Sequence, residues 1–264
     1  MNPQPILWHL EISHYNEKAR WALDYKAVEH ERRTPVPGYH MALALWLTRG
    51  RGYTLPILEL DGRRIGDSTA IIAALEERFP NPPLYPADPA ERGRALELED
   101  FFDEELGPYI RRVVFHEAPR DRERFTRAAA EATPGPLARF PHFAAGYARA
   151  FTAARFLAGS DRAADRASDR VLVALDRLEA ELGSGEYLVG GSFTVADLTA
   201  AALLYPLALP PEGPRQSAGL DPLAGLRHSL GDRRGIDWVR EMFRRHRRRG
   251  ASRREPEPLA AGAA

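Results

Sequence analysis

Hydrophobic and polar positions in the first 80 residues follow two periods in turn, one typical of strands and one typical of helices. The apolar run PILWHL at residues 5–10 predicts a buried strand, and residues 13–26 then follow a helical period with one apolar side. Residues 28–34 predict a second strand at the edge of the sheet, and HMALALWL at residues 40–47 predicts a short helix. The chain therefore begins in the order strand, helix, strand, helix.

A hairpin signal follows this first part. LPILEL and RRIGD are joined by Asp61 and Gly62, a pair that suits a two-residue type I′ turn between antiparallel strands. STAIIAALEERF at residues 68–79 then predicts a helix with Ser68 near its start. The complete order of the first 80 residues is βαβαββα.

The pattern changes at a proline-rich stretch. Pro80, Pro82, Pro83, Pro86 and Pro89 interrupt any regular element, which indicates a linker between two domains. Strand signals nearly stop beyond it. The predicted organisation is a mixed domain at residues 1–80, a linker at 81–90, a helical domain at 91–249 and a disordered tail at 250–264.

The helical domain shows several amphipathic segments. A helix follows the linker, with a break at Gly107 and Pro108, and SDRVLVALDRLEAEL predicts another helix. FTVADLTAAALLYPL is apolar all round, which predicts a deeply buried helix. Residues 209–232 read as a loop, GIDWVREMFRRHRRR as a last helix, and residues 118–145 carry no clear period.

Composition narrows the functional classes. The chain of 264 residues has 37 basic and 37 acidic side chains, so its net charge favours neither nucleic acid nor membrane as a partner. It contains no Cys, which excludes a disulfide, a thiolate metal site and a cysteine nucleophile, and no metal site is expected. No signal peptide or apolar run of membrane-spanning length is recognised, so we expect a cytoplasmic protein.

Three short motifs occur in a fixed order. TLPILELDG places Pro56 after Leu55 at the start of a strand, GDSTAI places Asp67 and Ser68 at the start of a helix, and SFTVADL carries a Thr-x-x-Asp capping box. With the order of elements, these motifs resemble the cytosolic glutathione transferases, in a bacterial, serine-type-like and unclassified form. The resemblance implies an α+β fold with an N-terminal thioredoxin-like domain and an all-helical C-terminal domain, and a homodimer.

The resemblance also implies a site for glutathione as co-substrate. It implies a cis peptide bond before Pro56, and a thiol-containing peptide pairing with the backbone of Leu55 like an added strand. Backbone donors at the start of the third helix, with Asp67 and Ser68, suit the γ-glutamyl group. Thr54, which precedes Leu55, is a further expected contact.

The turn SHYN at the start of the first helix carries the remaining chemistry. Ser13 and Asn16 stand where related thioredoxin-like proteins have Cys-x-x-Cys, so only the ligand's own thiol can react. Ser13 is a candidate hydroxyl donor to that thiolate or a plain N-cap, and Asn16 is a second candidate donor. His14 is a ligand contact, a pH-sensitive neighbour of the ligand or an exposed, idle side chain. Tyr15 is expected in the core.

Two functions remain open from the sequence. One is an enzyme that conjugates glutathione, or a similar low-molecular-weight thiol, to an electrophilic small molecule. The alternative is a non-catalytic binding or scaffold protein of the same fold, favoured by the absence of a catalytic Cys or Tyr and by the unusual loop Gly-Arg-Gly-Tyr at residues 50–53. A nucleic-acid role for the arginine-rich end is disfavoured because that end lacks interleaved aromatic residues.

Overall fold

The computed structural model describes residues 4–35, 39–133, 139–215, 219–247 and 252–253 of the chain. The chain divides into two compact units. The first contains the residues up to Pro83 together with Arg247 and the segment that follows it, and the second is Leu84–His246. The proline-rich stretch therefore lies at the change of unit, and the end of the chain is grouped with the beginning.

The first unit is built on a five-stranded sheet. Its elements in chain order are β1 (Ile6–Trp8), α1 (His14–Tyr25), β2 (His30–Arg33), α2 (Tyr39–Leu47), β3 (Ile57–Leu60), β4 (Arg63–Gly66), α3 (Ser68–Arg78) and, from the chain end, β5 (Ser252–Arg253). The strand order is β4-β3-β1-β2-β5, with β1 parallel to β2 and antiparallel to β3. The predicted thioredoxin-like βαβαββα order is confirmed.

The outer edge of this sheet differs from the prediction. β2 was expected at the edge and residues 250–264 as disordered, but β5 runs parallel to β2, with Ser252 opposite His30 and Arg253 opposite Glu31. An edge strand offers unpaired backbone N–H and C=O groups, and the chain end pairs with those of β2. Both predictions are therefore wrong at the described residues of that segment; its other residues lie outside the described part of the chain.

The β3–β4 hairpin follows the sequence signal. Asp61 and Gly62 have φ angles of 48° and 77°, the positive values that a type I′ turn requires at both central positions. The register sets Ile57 opposite Gly66. As a result, the residues that precede β3 and those that follow β4 lie at the same end of the hairpin.

The second unit is helical throughout its described residues. Its elements are α4 (Pro89–Glu105), α5 (Gly107–Glu117), a 3₁₀ turn (Ala118–Arg120), α6 (Arg122–Glu131), α7 (Pro141–Phe156), α8 (Asp161–Leu182), α9 (Val195–Ala208), α10 (Ala224–Leu230) and α11 (Arg234–His246). The predicted α+β fold class, with an all-helical second domain, is confirmed. The break at Gly107 is also confirmed, whereas the expected loop at 209–232 contains α10. None of the described helices is long and apolar enough to cross a membrane.

α9 forms the centre of this helical unit. All of its residues are buried, as its apolar sequence predicts. The capping box at its start is present: Asp197 accepts hydrogen bonds from the backbone N–H and hydroxyl of Thr194 and from the N–H of Leu188, each at 2.8 Å. Burial raises the pKa of Asp197 to about 6, although these hydrogen bonds act to lower the pKa. The carboxylate thus fixes the loop before α9 as well as the helix itself.

A group of buried charged side chains occupies one side of α1. Glu17 is fully buried between Arg20 Nε at 2.7 Å and Arg247 Nε at 2.6 Å. Asp24 is likewise held between Arg32 Nη2 at 2.7 Å and Arg247 Nη1 at 2.6 Å. Burial alone would raise the pKa of Glu17, but Arg247 and Arg20 outweigh it and lower the pKa below its ordinary value. Arg247 therefore joins the two carboxylates of α1.

We expect Arg247→Met to lower the free energy of unfolding by roughly 2–3 kcal/mol, because Glu17 and Asp24 each lose one of two buried partners. Arg244→Met is the matched control, since Arg244 is 63% exposed in its pair with Glu241 and exposed pairs of this kind contribute little to stability. Chemical denaturation measures both variants. Equal stabilities of the two would contradict the structural role of Arg247.

The decrease in the free energy of unfolding caused by Arg247→Met should also depend on pH. The folded-state pKa of Glu17 lies below its ordinary value of 4.5, so the ionised carboxylate stabilises the fold above that value. That stabilisation is lost as the pH falls through the folded-state pKa. The stability difference between wild type and Arg247→Met should therefore be full at neutral pH and shrink in acid. Denaturation across a pH series tests this, and a difference that grows in acid would count against it.

Candidate active site

Ser13 is the N-cap of α1. Its backbone is extended, with φ −89° and ψ 123°, and its Oγ accepts a long hydrogen bond of 3.4 Å from the Asn16 N–H. The side chain is half-buried, and its hydroxyl hydrogen meets no acceptor among the described residues. The oxygen can cap the helix while the hydrogen remains available to a bound anion. The two roles considered for Ser13 are therefore compatible.

Asn16 connects two segments of the site. Its Oδ1 accepts from the Leu10 N–H at 3.0 Å, and its Nδ2 donates to the Leu55 carbonyl at 3.2 Å. The side chain is 1% exposed. Both ends of the amide are thus occupied within the protein, which supports a positioning role rather than donation to a thiolate.

The segment before β3 contains the expected cis peptide bond. The bond between Leu55 and Pro56 is cis, which confirms that prediction. Leu55 is 8% exposed, and its N–H has no acceptor among the described residues. The carbonyl of Leu55, expected to be free, already accepts from Asn16 and keeps one lone pair for a ligand.

Asp67 and Ser68 lie at the start of α3. Asp67 is the N-cap, with a positive φ of 73°, and its Oδ1 accepts from the N–H groups of Thr69 and Ala70. Ser68 is 3% exposed, and neither its N–H nor its hydroxyl has a partner in the described part of the chain. Because Gly66 lies opposite Ile57, this helix start lies beside Pro56. It offers donors for a carboxylate and a carboxylate for an amine.

His14 and Thr54 occupy different environments. His14 was expected to be a ligand contact, a pH-sensitive neighbour of the ligand or an exposed side chain, but it is 5% exposed and its ring lies 4.6 Å from that of Tyr15. The expectation of exposure is therefore wrong, and its burial leaves little surface for a ligand. Thr54 is exposed directly before Leu55. Tyr15 is half-buried rather than in the core.

Three buried polar residues were missed by the sequence reasoning. Arg20 donates to the carbonyl oxygens of Leu10 and Glu11 at 3.1 Å and to His9 Nδ1 at 2.9 Å. Burial, followed by the charge of Arg20, lowers the pKa of His9 to about 2, so this ring is neutral. Lys18, fully buried, donates to Thr69 Oγ1 at 2.9 Å and so joins α1 to α3. A run of charged residues in an amphipathic helix resembles a solvated face, so the contacts of Lys18 and Arg20 could not be predicted from the sequence.

The site therefore combines donors from three segments. These segments are the N-terminus of α1 with Ser13, the backbone before β3 and the start of α3. Asn16 of α1 donates to the Leu55 carbonyl before β3, and Lys18 of α1 donates to Thr69 of α3. No group of three or more potential metal-ligating His, Asp or Glu side chains occurs in the described residues. The arrangement suits an extended peptide that carries a thiol and a carboxylate.

Comparison with known proteins agrees with this geometry. The family model for the glutathione S-transferase N-terminal domain matches residues 7–83, and the model for the glutathione S-transferase C-terminal domain matches residues 161–228. Together the two models match more than half of the chain. The chain belongs to the glutathione S-transferase family.

Individual relatives of this glutathione S-transferase family member are distant. A probable maleylacetoacetate isomerase of Caenorhabditis elegans is 33% identical over 94 residues, covering 36% of this chain and 44% of that protein. The chain thus matches less than half the length of this relative. A glutathione S-transferase structure from Rhodospirillum rubrum F11 has a TM-score of 0.60 at 21% identity and covers 92% of this chain and 89% of its own.

A second solved structure, a glutathione S-transferase from Methylobacillus flagellatus KT with glutathione bound, has a TM-score of 0.58 at 18% identity. The match covers 92% of this chain and 96% of that one. At identities this low, the similarity to these two structures shows a shared fold and nothing further.

We expect Asn16→Ala to lower the free energy of unfolding by about 2–3 kcal/mol, because it removes two buried hydrogen bonds and leaves the Leu10 N–H and the Leu55 carbonyl partly unsatisfied. Asn16→Asp, which keeps the acceptor for Leu10 but loses the donor to Leu55, should be at least as unstable. Thermal denaturation measures both variants. An Asn16→Ala variant of wild-type stability in which only the pKa of a bound thiol rises would instead make Asn16 the thiolate donor.

Proposed function

We propose that this family member binds glutathione and conjugates its thiol to an electrophilic small molecule, with Ser13 as donor to the thiolate. The observation that carries the proposal is the free hydroxyl hydrogen of Ser13 at the N-terminus of α1, in a turn bonded through Asn16 to Leu55. Another low-molecular-weight thiol peptide fits the same donors.

The energetics of thiolate stabilisation are sufficient without a general base. A free thiol has a pKa of about 8.5, and lowering it by two units takes about 2.7 kcal/mol. A hydroxyl hydrogen bond to an anion contributes about 1.5–3 kcal/mol, and a helix N-terminus about 0.3–1 kcal/mol. Ser13 and α1 together reach the required amount.

The buried arginines support this role. Glu17 lies in the first turn of α1, where its negative charge would oppose a nearby thiolate. Arg20 and Arg247 neutralise that carboxylate. The helix N-terminus therefore keeps its preference for an anion.

The peptide part of the ligand is assigned to backbone groups. The Leu55 N–H and the second lone pair of its carbonyl suit the cysteinyl unit, and Ser68 with the α3 N-terminus suits the γ-glutamyl carboxylate. Asp67 Oδ2, which accepts neither of the two capping hydrogen bonds made to Oδ1, suits the amine. Thr54 flanks the same groups. His14 and Asn16 act as packing and positioning residues.

Two other functions remain as candidates. Maleylacetoacetate isomerisation is one, because the curated relative with 33% identity carries that name; it would use the same bound thiolate, added to and then released from the substrate. The other is a non-catalytic binding protein of this fold. Glutathione binding by calorimetry without turnover of a generic electrophile or of maleylacetoacetate would select the binding protein.

The decisive experiment compares Ser13→Ala with Ser160→Ala. Both serines cap helices, and Ser160 Oγ accepts from the Ala163 N–H at 3.3 Å in α8 of the second unit. Each substitution should lower stability by about 1 kcal/mol through the lost cap. Only Ser13→Ala should raise the pKa of bound glutathione, by about one to two units, and reduce turnover at neutral pH about tenfold or more.

The readout is the ultraviolet absorbance of bound thiolate against pH. Glutathione affinity should change little in Ser13→Ala, since the peptide is held by backbone groups at Leu55 and Ser68. Identical titrations of wild type and Ser13→Ala would end the serine-type assignment.

We further propose that the protein is a cytoplasmic homodimer, as is expected for its family. Light scattering of the purified chain tests the assembly, and fractionation of the host cell tests the location. A monomer at all concentrations, or recovery with the membrane fraction, would reject the corresponding part of this proposal.

A further inference from the structure

A cavity of about 860 Å³ lies in the first unit, between the segment that follows α2 and strand β4. β4 is the terminal strand of the sheet, and all of its residues, Arg63–Gly66, line the cavity. Four arginines line it: Arg49, Arg51, Arg63 and Arg64. The volume lies within the range of about 300–1,000 Å³ that is typical of sites for small molecules.

The arginines of this cavity are poorly neutralised. Arg64 pairs with Glu59 at 3.2 Å and lies over the ring of Trp46. The guanidinium groups of Arg49, Arg51 and Arg63, by contrast, form no ion pair or hydrogen bond with any residue of the described chain. This excess is local, because the whole chain is electrically neutral.

The acidic side chains of the cavity are already occupied. Glu59 accepts from Trp8 Nε1 at 2.7 Å as well as from Arg64. The only other acidic residue among those that line the cavity, Asp67, caps α3 through Oδ1, and its Oδ2 is assigned above to the amine of the thiol ligand. Asp61, in the adjoining turn, is paired with Arg78 at 2.9 Å. The excess positive charge therefore remains for a ligand.

The backbone that presents two of these arginines is held in place. Thr48 Oγ1 accepts from the Gly52 N–H at 2.9 Å and lies 2.7 Å from the Ala44 carbonyl oxygen. Gly50 donates to the Leu45 carbonyl at 2.7 Å and has a positive φ of 82°, which favours glycine. Arg49 and Arg51 thus project from a fixed turn, which reduces the ordering cost of binding.

Guanidinium groups bind carboxylate and phosphoryl groups through paired hydrogen bonds. Three unpaired guanidinium groups around one cavity suit a ligand with two or more such groups. We propose that this arginine cavity binds a small polyanion that carries at least two carboxylate or phosphoryl groups. The cavity is distinct from the proposed thiol site, although Thr54 and Asp67 border both. Binding of the polyanion in the cavity does not require glutathione.

Calorimetry on the full chain at low salt tests the proposal with inorganic pyrophosphate, citrate and acetate as probes. We expect one-to-one binding of pyrophosphate or citrate, at least about tenfold tighter than acetate, because only the polyanions reach several guanidinium groups. Tighter pyrophosphate identifies a phosphoryl ligand, and tighter citrate identifies a carboxylate ligand. Absence of binding by both polyanions overturns the proposal.

Variants separate this cavity from general charge attraction. Arg51→Gln and Arg63→Gln should each weaken the better polyanion about tenfold or more. Arg122→Gln is the matched control, since Arg122 is an exposed arginine on α6 whose side chain has no partner among the described residues; it should change binding less than about twofold. All three positions are exposed and unpaired, so unfolding temperatures should match wild type. Equal weakening in the three variants overturns the proposal.

A competition experiment distinguishes the cavity from the thiol site. Glutathione and the polyanion should bind together, and Ser13→Ala should leave polyanion affinity unchanged. Strict competition between them would make the arginines part of the glutathione site and overturn a separate site. Loss of glutathione binding with retained polyanion binding would reject the proposed function alone.

Discussion

The Arg20 guanidinium is 2% exposed and donates at once to the Glu17 carboxylate and to the carbonyl oxygens of Leu10 and Glu11. A buried charge of this kind is tolerated only when it is paired and fully hydrogen-bonded. Here the pairing fixes the turn that precedes Ser13. The position of the candidate thiolate donor therefore depends on a buried salt bridge within the same helix.

This dependence extends to the end of the chain. Arg247 shares Glu17 with Arg20, and Asp24 with Arg32, so a residue far along the sequence completes the charge balance of α1. The first unit thus uses arginine in two contrasting ways. Within the fold, arginines are matched by carboxylates; around the cavity beside β4, three of them are not. The same residue type stabilises a core in one place and remains available to a ligand in the other.

The sequence by itself determined the order of elements in the first unit, the hairpin turn at Asp61 and Gly62, and the buried helix that begins after Thr194. These features are local, because turn chemistry, capping boxes and hydrophobic periodicity act over a few neighbouring residues. The capping position of Ser13 was recognisable for the same reason.

Only the tertiary structure decided how the polar residues of α1 are used. Lys18 and Arg20 resemble a solvated face in the sequence, and Asn16 was expected to donate to a ligand thiolate. All three are buried: Lys18 and Asn16 have partners in distant segments, and Arg20 is enclosed by Glu17, His9 and the turn before α1. The strand formed by Ser252 and Arg253 likewise exists through pairing with β2 rather than through its own propensity. Such contacts join residues far apart in the chain, and a local pattern carries no information about which distant partner will neutralise a charge or complete a sheet edge.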